Sequence, residues 1–342
     1  MSSMLLDRHA IYMTAPCESE YAFRPLSYDG LGPGELLMET EYSVISAGTE
    51  LAIYQGGEWW AHLPYEPGYG ALGHVLEVGS NIKDVAVGDR VFTYTSHASI
   101  NVVRDGRYVK VPDGVDPLLA TVGARMGQIA FTSLRVSHEE LGDFVVVQGL
   151  GLVGNLAAQL FTLSGCKVIG LDISPSRLET ARACGISHTI DTSRSDAAAE
   201  IARITDGGMA QVVVEATGVP GLVATAACYA AIDAEVILLG SPRGEFVGDA
   251  TDLLYKVHHA KPHITLKGAL EWIYPFKPTQ GCKHNLERNV KQLIQLVGEN
   301  KLHVRELISH VVSPADVPGV YKELLARNQD YFGVAIDWRK QA

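Results

Sequence analysis

The chain contains no C-x-x-C pair. Its five cysteines, Cys17, Cys166, Cys184, Cys228 and Cys282, are scattered through 342 residues. Free thiols in a reducing compartment are therefore expected, not a disulfide framework. Basic residues are scarce: 28 Lys and Arg against 39 Asp and Glu leave a formal net charge of -11. An acidic chain without a basic run repels phosphate backbones, which removes nucleic acid from the expected partners. Long apolar runs are missing as well. The most apolar stretch, residues 144–171, is broken by Gly149, Gly151, Gly154 and Gly165, so it reads as a buried strand-helix-strand and not as a bilayer span. Residues 1–8 lack a basic start followed by an apolar stretch. No secretory signal is expected there, no membrane partner either, and a cytoplasmic location follows.

What is present suits two domains, because 342 residues exceed one compact core. The first third is β-rich. Residues 34–44 and 73–79 read as strands, and Gly88-Asp89-Arg90-Val91 turns into another. Near residue 120 the pattern changes. A helix is predicted over 121–137, a strand over 144–147, a helix over 152–164, a strand over 167–171 and a helix over 176–184. Further strands are predicted at 211–214 and 235–239, then helices at 286–297 and 315–326 and a last strand at 333–338. Strands alternating with helices imply parallel βαβ units.

Gly149-Leu150-Gly151-Leu152-Val153-Gly154 follows a buried strand and opens a helix. In that context G-x-G-x-x-G is a dinucleotide fingerprint: a tight turn, a close approach to pyrophosphate, and close helix-strand packing. The helix N-terminus adds donor N–H groups. Asp172 ends the next strand, followed by Ile173. A carboxylate there accepts the ribose hydroxyls of NAD and repels the 2′-phosphate of NADP. Arg177 lies close enough to complicate that preference, or is a solvated helix residue.

These features, together with Gly88-Asp89-Arg90-Val91, Glu215-Ala216-Thr217-Gly218, Gly240-Ser241 and Ile264-Thr265-Leu266-Lys267-Gly268, resemble the medium-chain dehydrogenase/reductase family over nearly the whole chain. The resemblance implies an α/β fold, a Rossmann doubly wound parallel sheet plus a GroES-like β domain. It divides the chain into a catalytic domain at 1–122, an NAD-binding domain at 123–270 and a return to the first domain at 271–342. It adds Ala216, Thr217, Gly218, Gly240 and Ser241 to the cofactor residues. It also implies a homodimer or homotetramer, with residues 264–268 as the pairing strand.

The family's zinc pattern is absent. Its C-G-[ST]-D is matched by Ala47-Gly48-Thr49-Glu50, its G-H-E by Gly68-Tyr69-Gly70, and its third ligand falls near Ala124-Arg125. The four-cysteine lobe is missing too. No metal is therefore expected, although His258, His259 and His263 form a local cluster read as an exposed turn. Without zinc, another donor or cation must meet the charge on the substrate oxygen. Thr49, which matches a hydroxyl that relays the alcohol proton in zinc members, and Arg125 are the first candidates. The relay's next histidine is matched by Ala52. Tyr54, Tyr69, Tyr94 and His97 are possible acids or bases, with packing as the alternative for each. Glu50 reads as a structural acceptor, and Trp59 and Trp60 as packing or a cap over a ring-shaped substrate.

The expected activity is zinc-independent hydride transfer between NAD(H) and a secondary alcohol or ketone on a polar polyol, sugar or cyclitol. The alternative is NAD(P)H-dependent reduction of an activated C=C bond, as in zinc-free quinone and enoyl reductases.

Overall fold

A computed structural model describes residues 4–340; residues 1–3, the start of the segment read for a signal, lie outside the described residues. The chain forms two compact units, Met1–Arg125 with Val290–Ala342, and Met126–Asn289. Residues 271–289, expected in the C-terminal return, therefore lie in the second unit, and the return starts at 290. The first dividing line falls three residues later than expected from 122/123.

The first unit is built on a seven-stranded sheet. Its central strand, Leu36–Val44, pairs antiparallel with Ala71–Val78, with Ile100–Val103 and with Val334–Asp337. Neighbours along both edges explain why all but one of its residues are buried. The C-terminal segment belongs here because its last strand completes the sheet, with Ile336 opposite Ser43. The Trp338 indole N–H donates to Ser43 Oγ at 2.9 Å. Ile11, Met13, Ile45, Ile53, Tyr54, Val320, Tyr321, Ile336 and Trp338 share one core, each large apolar side chain contributing roughly 1.5–3 kcal/mol on burial. One element departs from the β reading: Ala47–Tyr54 is a helix. It buries Glu50, Ala52, Ile53 and Tyr54, a set without simple helical spacing.

The second unit carries six parallel strands. We number them β1 (Phe144–Gln148), β2 (Lys167–Asp172), β3 (His188–Asp191), β4 (Ala210–Glu215), β5 (Ala230–Leu238) and β6 (Thr265–Gly268). Their spatial order is β3-β2-β1-β4-β5-β6, the doubly wound order that reverses between β1 and β4. Val145, Val146 and Val147 have no exposure. Consecutive burial, not alternation, is what a parallel sheet covered on both faces requires. The residue 144–171 strand-helix-strand is realised as β1, the helix Leu152–Leu163 and β2. The helix Thr251–His258 was not expected, and none of its residues is fully buried. His258 and His259 therefore end a helix instead of forming a turn. No helix of the described residues is long and apolar enough to cross a membrane.

Candidate active site

In the second unit the fingerprint glycines have separate jobs. Gly149 turns at φ +91 directly after β1. A Cβ on Gly154 would lie 1.9 Å from the Gly149 carbonyl oxygen, so this glycine is demanded by the fold. Gly151 is different. It has an ordinary φ of -60, and a Cβ placed on it would meet nothing within 4 Å. The protein itself does not require glycine there; a ligand laid against the backbone would. Gly151 is also the N-cap of Leu152–Leu163 and makes no side-chain capping bond. The first intrahelical bond runs from Asn155 N–H to Gly151 O, which leaves the Leu152, Val153 and Gly154 amides as donors without an intrahelical acceptor. An open cradle lined by amides at a positive dipole end fits a pyrophosphate.

Asp172 is buried at the end of β2. Its carboxylate accepts from Leu150 N–H at 2.8 Å and Ser174 N–H at 2.9 Å. Those bonds aim it beside the glycine turn and leave acceptor capacity, because a carboxylate offers about four lone-pair directions. Arg177 sits 3.8 Å from the same carboxylate. Ile173, next to Asp172, is 68% exposed, an apolar surface that a flat ring could cover. At the end of β4, Ala216 N–H donates to Gln148 O, tying this loop to the end of β1. Glu215 organises the turn that leaves β4: its carboxylate accepts from Thr217 N–H at 2.8 Å, from the Thr217 hydroxyl, and from Gly218 N–H at 3.1 Å. Its carbonyl accepts from Gly240 N–H at 2.9 Å. Glu215 was not among the expected site residues, although the Glu-Ala-Thr-Gly motif pointed at it. Ser241 follows Gly240 and closely approaches Gly218 through its carbonyl.

The first unit holds the residues that stand where zinc ligands are expected. Ala47 and Thr49 lie on the first turn of Ala47–Tyr54, both partly exposed. Tyr69 is partly exposed and donates to Ser46 Oγ. Arg125 is 1% exposed, its guanidinium 4.3 Å from the Tyr69 ring centroid and 5.6 Å from that of Tyr94. A methyl group, a phenol and a guanidinium do not make a zinc site, since zinc takes thiolate, imidazole or carboxylate and a fixed cation repels it. Among the described residues no group of three or more His, Cys, Asp or Glu is placed to hold a metal.

Beneath this surface lies a buried polar cluster. Glu50 pairs with His97 at 3.1 Å and accepts from the Tyr321 hydroxyl at 2.6 Å and the Ser46 amide at 2.7 Å. Burial alone would push the Glu50 carboxyl up; the His97 charge and these hydrogen bonds outweigh it and hold the carboxyl below its ordinary value. Burial, followed by the Glu50 charge, pushes the Tyr321 phenol well above its usual value. His97 also bonds Ser43 Oγ at 2.8 Å and has no exposure, so it is a core residue and not an acid or base at the surface.

Tyr54 requires a correction. It has no exposed surface, its hydroxyl donates to the Cys17 carbonyl, and its ring packs 5.3 Å from that of Tyr321. A phenol spent on a backbone carbonyl inside the core does not meet a substrate. Arg125 is likewise covered: at 1% exposure its guanidinium lies against the Tyr69 ring and offers almost no surface of its own. Trp59 is 86% exposed and does not pack in the core; Trp60 lies edge-on to Tyr65 and bonds Glu58.

Residues 32–130 match the alcohol dehydrogenase GroES-like domain, and residues 153–270 match the zinc-binding dehydrogenase domain. The chain belongs to the medium-chain dehydrogenase/reductase family. It is similar to an uncharacterized zinc-type alcohol dehydrogenase-like protein of Haemophilus influenzae, 23% identical over 91% of this chain and 94% of that one. It is also similar to the D-guloside 3-dehydrogenase of Escherichia coli, 34% identical over 158 residues, 45% of each protein. The galactitol-1-phosphate dehydrogenase of Escherichia coli shares the fold, with a TM-score of 0.82 at 17% identity over 96% of this chain and 99% of that chain. As a member of this family the chain is an oxidoreductase acting on a small molecule with a nicotinamide cofactor.

Proposed function

We propose that this medium-chain dehydrogenase/reductase transfers hydride between NAD(H) and a secondary alcohol or ketone on a polar, sugar-like or polyol substrate, without zinc. The observation that carries the reading is the contrast at Gly151 and Asp172: a glycine whose missing side chain opens space for a ligand, next to a carboxylate fixed by two backbone amides. The carboxylate favours NAD, because a 2′-phosphate brought to it meets like charge. A bound nicotinamide supplies or takes the hydride. The second unit's contribution is to hold the pyrophosphate on the Leu152–Gly154 amides and the ribose at Asp172; the first unit carries candidate groups for a substrate oxygen. Thr49 and Tyr69 present hydroxyls there, while Arg125 supplies positive charge from behind the Tyr69 ring. A polar ring as substrate is supported by the likeness to D-guloside 3-dehydrogenase, and action at a secondary alcohol by the names of that relative and of L-threonine 3-dehydrogenase.

Calorimetry with NADH and NADPH tests the cofactor, and NADH formation across a panel of polyols and sugar derivatives, after dialysis against a chelator, tests the reaction. Tight NADH binding with chelator-resistant turnover is expected. Preference for NADPH, or activity abolished by the chelator and restored by zinc, would refute the reading. We also place a homodimer at β6. This strand is the sheet edge, and Leu266 within it is 38% exposed, so its outer edge is open to a partner strand. Sedimentation of wild type against Leu266→Lys tests this: a shift of the variant to monomer supports pairing at β6.

A further inference from the structure

We propose that Tyr69 exchanges the proton with the substrate oxygen, and that Arg125 is a positioning residue that fixes and polarises it from behind. The inference rests on the hydride-transfer reading above and names the group that stands in for the metal. Four observations converge on it. Tyr54 and His97 have no exposure and Arg125 almost none, whereas Tyr69 keeps exposed surface. Both neighbours of Tyr69 are glycines that the structure needs for the packing beneath them. A Cβ on Gly68 would fall 2.6 Å from His97 N, and one on Gly70 would fall 2.5 Å from Arg125 Cγ. The segment is thus pressed onto the buried His97 on one side and onto the aliphatic stem of Arg125 on the other. The Tyr69 hydroxyl is held by Ser46 Oγ, and the Ser46 amide is itself anchored on Glu50. Finally, the guanidinium lies 4.3 Å from the ring centroid, inside the range of about 6 Å over which a cation interacts with an aromatic face. There it stabilises negative charge that develops on the phenolic oxygen. Tyr94, at 5.6 Å from the same guanidinium, braces Arg125 from a second direction.

The step balances without a metal. A reduced nicotinamide held at the glycine turn would supply the hydride; as a carbonyl carbon accepted it, the C=O π electrons would move to oxygen, and that oxygen would take the Tyr69 proton, which leaves its bond to Ser46 Oγ. The phenolate then recovers a proton from solvent. Oxidation runs the same transfers in reverse, with Tyr69 returning to the phenol form by accepting the alcohol proton after it has lost its own to solvent.

The test uses chelator-treated full-length wild type, Tyr69→Phe, Arg125→Met and Ser46→Ala, with NADH binding measured by calorimetry and reduction measured on a panel of cyclic and sugar-derived ketones. Tyr69→Phe is expected to keep NADH affinity within about twofold of wild type and to leave KM little changed while kcat falls roughly 100-fold or more, the range for loss of a general acid. Arg125→Met, at a positioning residue, should lower kcat by less than Tyr69→Phe does, again with NADH binding retained. Ser46→Ala removes the hydroxyl's acceptor without touching Tyr69 or Arg125, and keeps the idea testable if either variant loses its fold; it too should lower kcat more than it raises KM. A Tyr69→Phe protein that binds NADH and reduces the ketone within about threefold of wild type, well short of the loss expected for a general acid, would overturn this proposal and leave the hydride-transfer reading standing. A wild type that binds NADH yet reduces no ketone would overturn both.

Discussion

The two units treat their inheritance differently. The dinucleotide unit keeps its family's pattern through Gly149, Gly151, Gly154, Asp172 and Glu215, whereas the β unit has Ala47, Tyr69 and Arg125 where ligands of a metal are expected. The physical difference is in what each site uses. Pyrophosphate is gripped by backbone amides, and backbone can approach only where glycine allows it. Charge on a substrate oxygen is met by side chains, and one side chain can replace another if the scaffold under it has room. Gly68 and Gly70 let the Tyr69 segment lie directly on His97 and Arg125, where a side chain would clash.

This contrast can be broken in graded ways. The largest effect is expected in the β unit at Glu50. Glu50→Ala leaves His97 and the Tyr321 hydroxyl buried without their carboxylate, and should cost about 3–5 kcal/mol, measured by urea unfolding. A cost under about 1 kcal/mol, the scale of an exposed pair, would show that the cluster does not support the site. The same residue predicts a pH dependence. Because the folded carboxyl is held below its ordinary value, its stabilisation is complete above the usual carboxylate range and is lost as pH falls through the lowered value. Melting curves from about pH 7 to about pH 3 should therefore show acid destabilisation that is weaker in Glu50→Gln; an identical acid limb in the two proteins contradicts the assignment.

Smaller effects separate fold from ligand within the dinucleotide unit. Gly154→Ala drives a Cβ to 1.9 Å from a carbonyl oxygen and should destabilise the protein by about 1–3 kcal/mol or more. Gly151→Ala should leave the melting temperature unchanged and weaken NADH roughly tenfold, about 1.4 kcal/mol. If both variants melted early, the distinction between a structural and a ligand-facing glycine would fall. Smallest in absolute effect is Asp172→Asn, which removes charge at nearly constant shape. It should shift the NADH/NADPH affinity ratio toward NADPH by several-fold, on the order of 1 kcal/mol; an unchanged ratio would mean Asp172 does not choose the cofactor.

Much of the second unit was legible in the sequence. Val145-Val146-Val147 and the glycine turn identify a buried parallel strand entering a dinucleotide loop, because local sequence imposes both burial and backbone shape. The helix Ala47–Tyr54 was not legible, since its buried set includes a carboxylate and three consecutive residues, and neither matches an amphipathic period. Thr251–His258 was missed for the opposite reason, having no fully buried residue to mark a face. The return to the first unit begins at 290 instead of 271 because the switch falls inside the helix Leu286–Gly298, where no turn marks it in the sequence.

Sequence alone determined the glycine turn and the residue types Ala47, Tyr69 and Arg125 at the positions where the resemblance places zinc ligands, because both are read from residue type at fixed spacing. Tertiary structure alone decided which of the remaining side chains keep a surface. Tyr54 and Tyr69 are the same residue type on neighbouring segments, yet one spends its hydroxyl on Cys17 in the core and the other stands partly exposed over Arg125. That difference comes from contacts distant along the chain, Tyr321 against Tyr54 and Arg125 against Tyr69. No local pattern carries them.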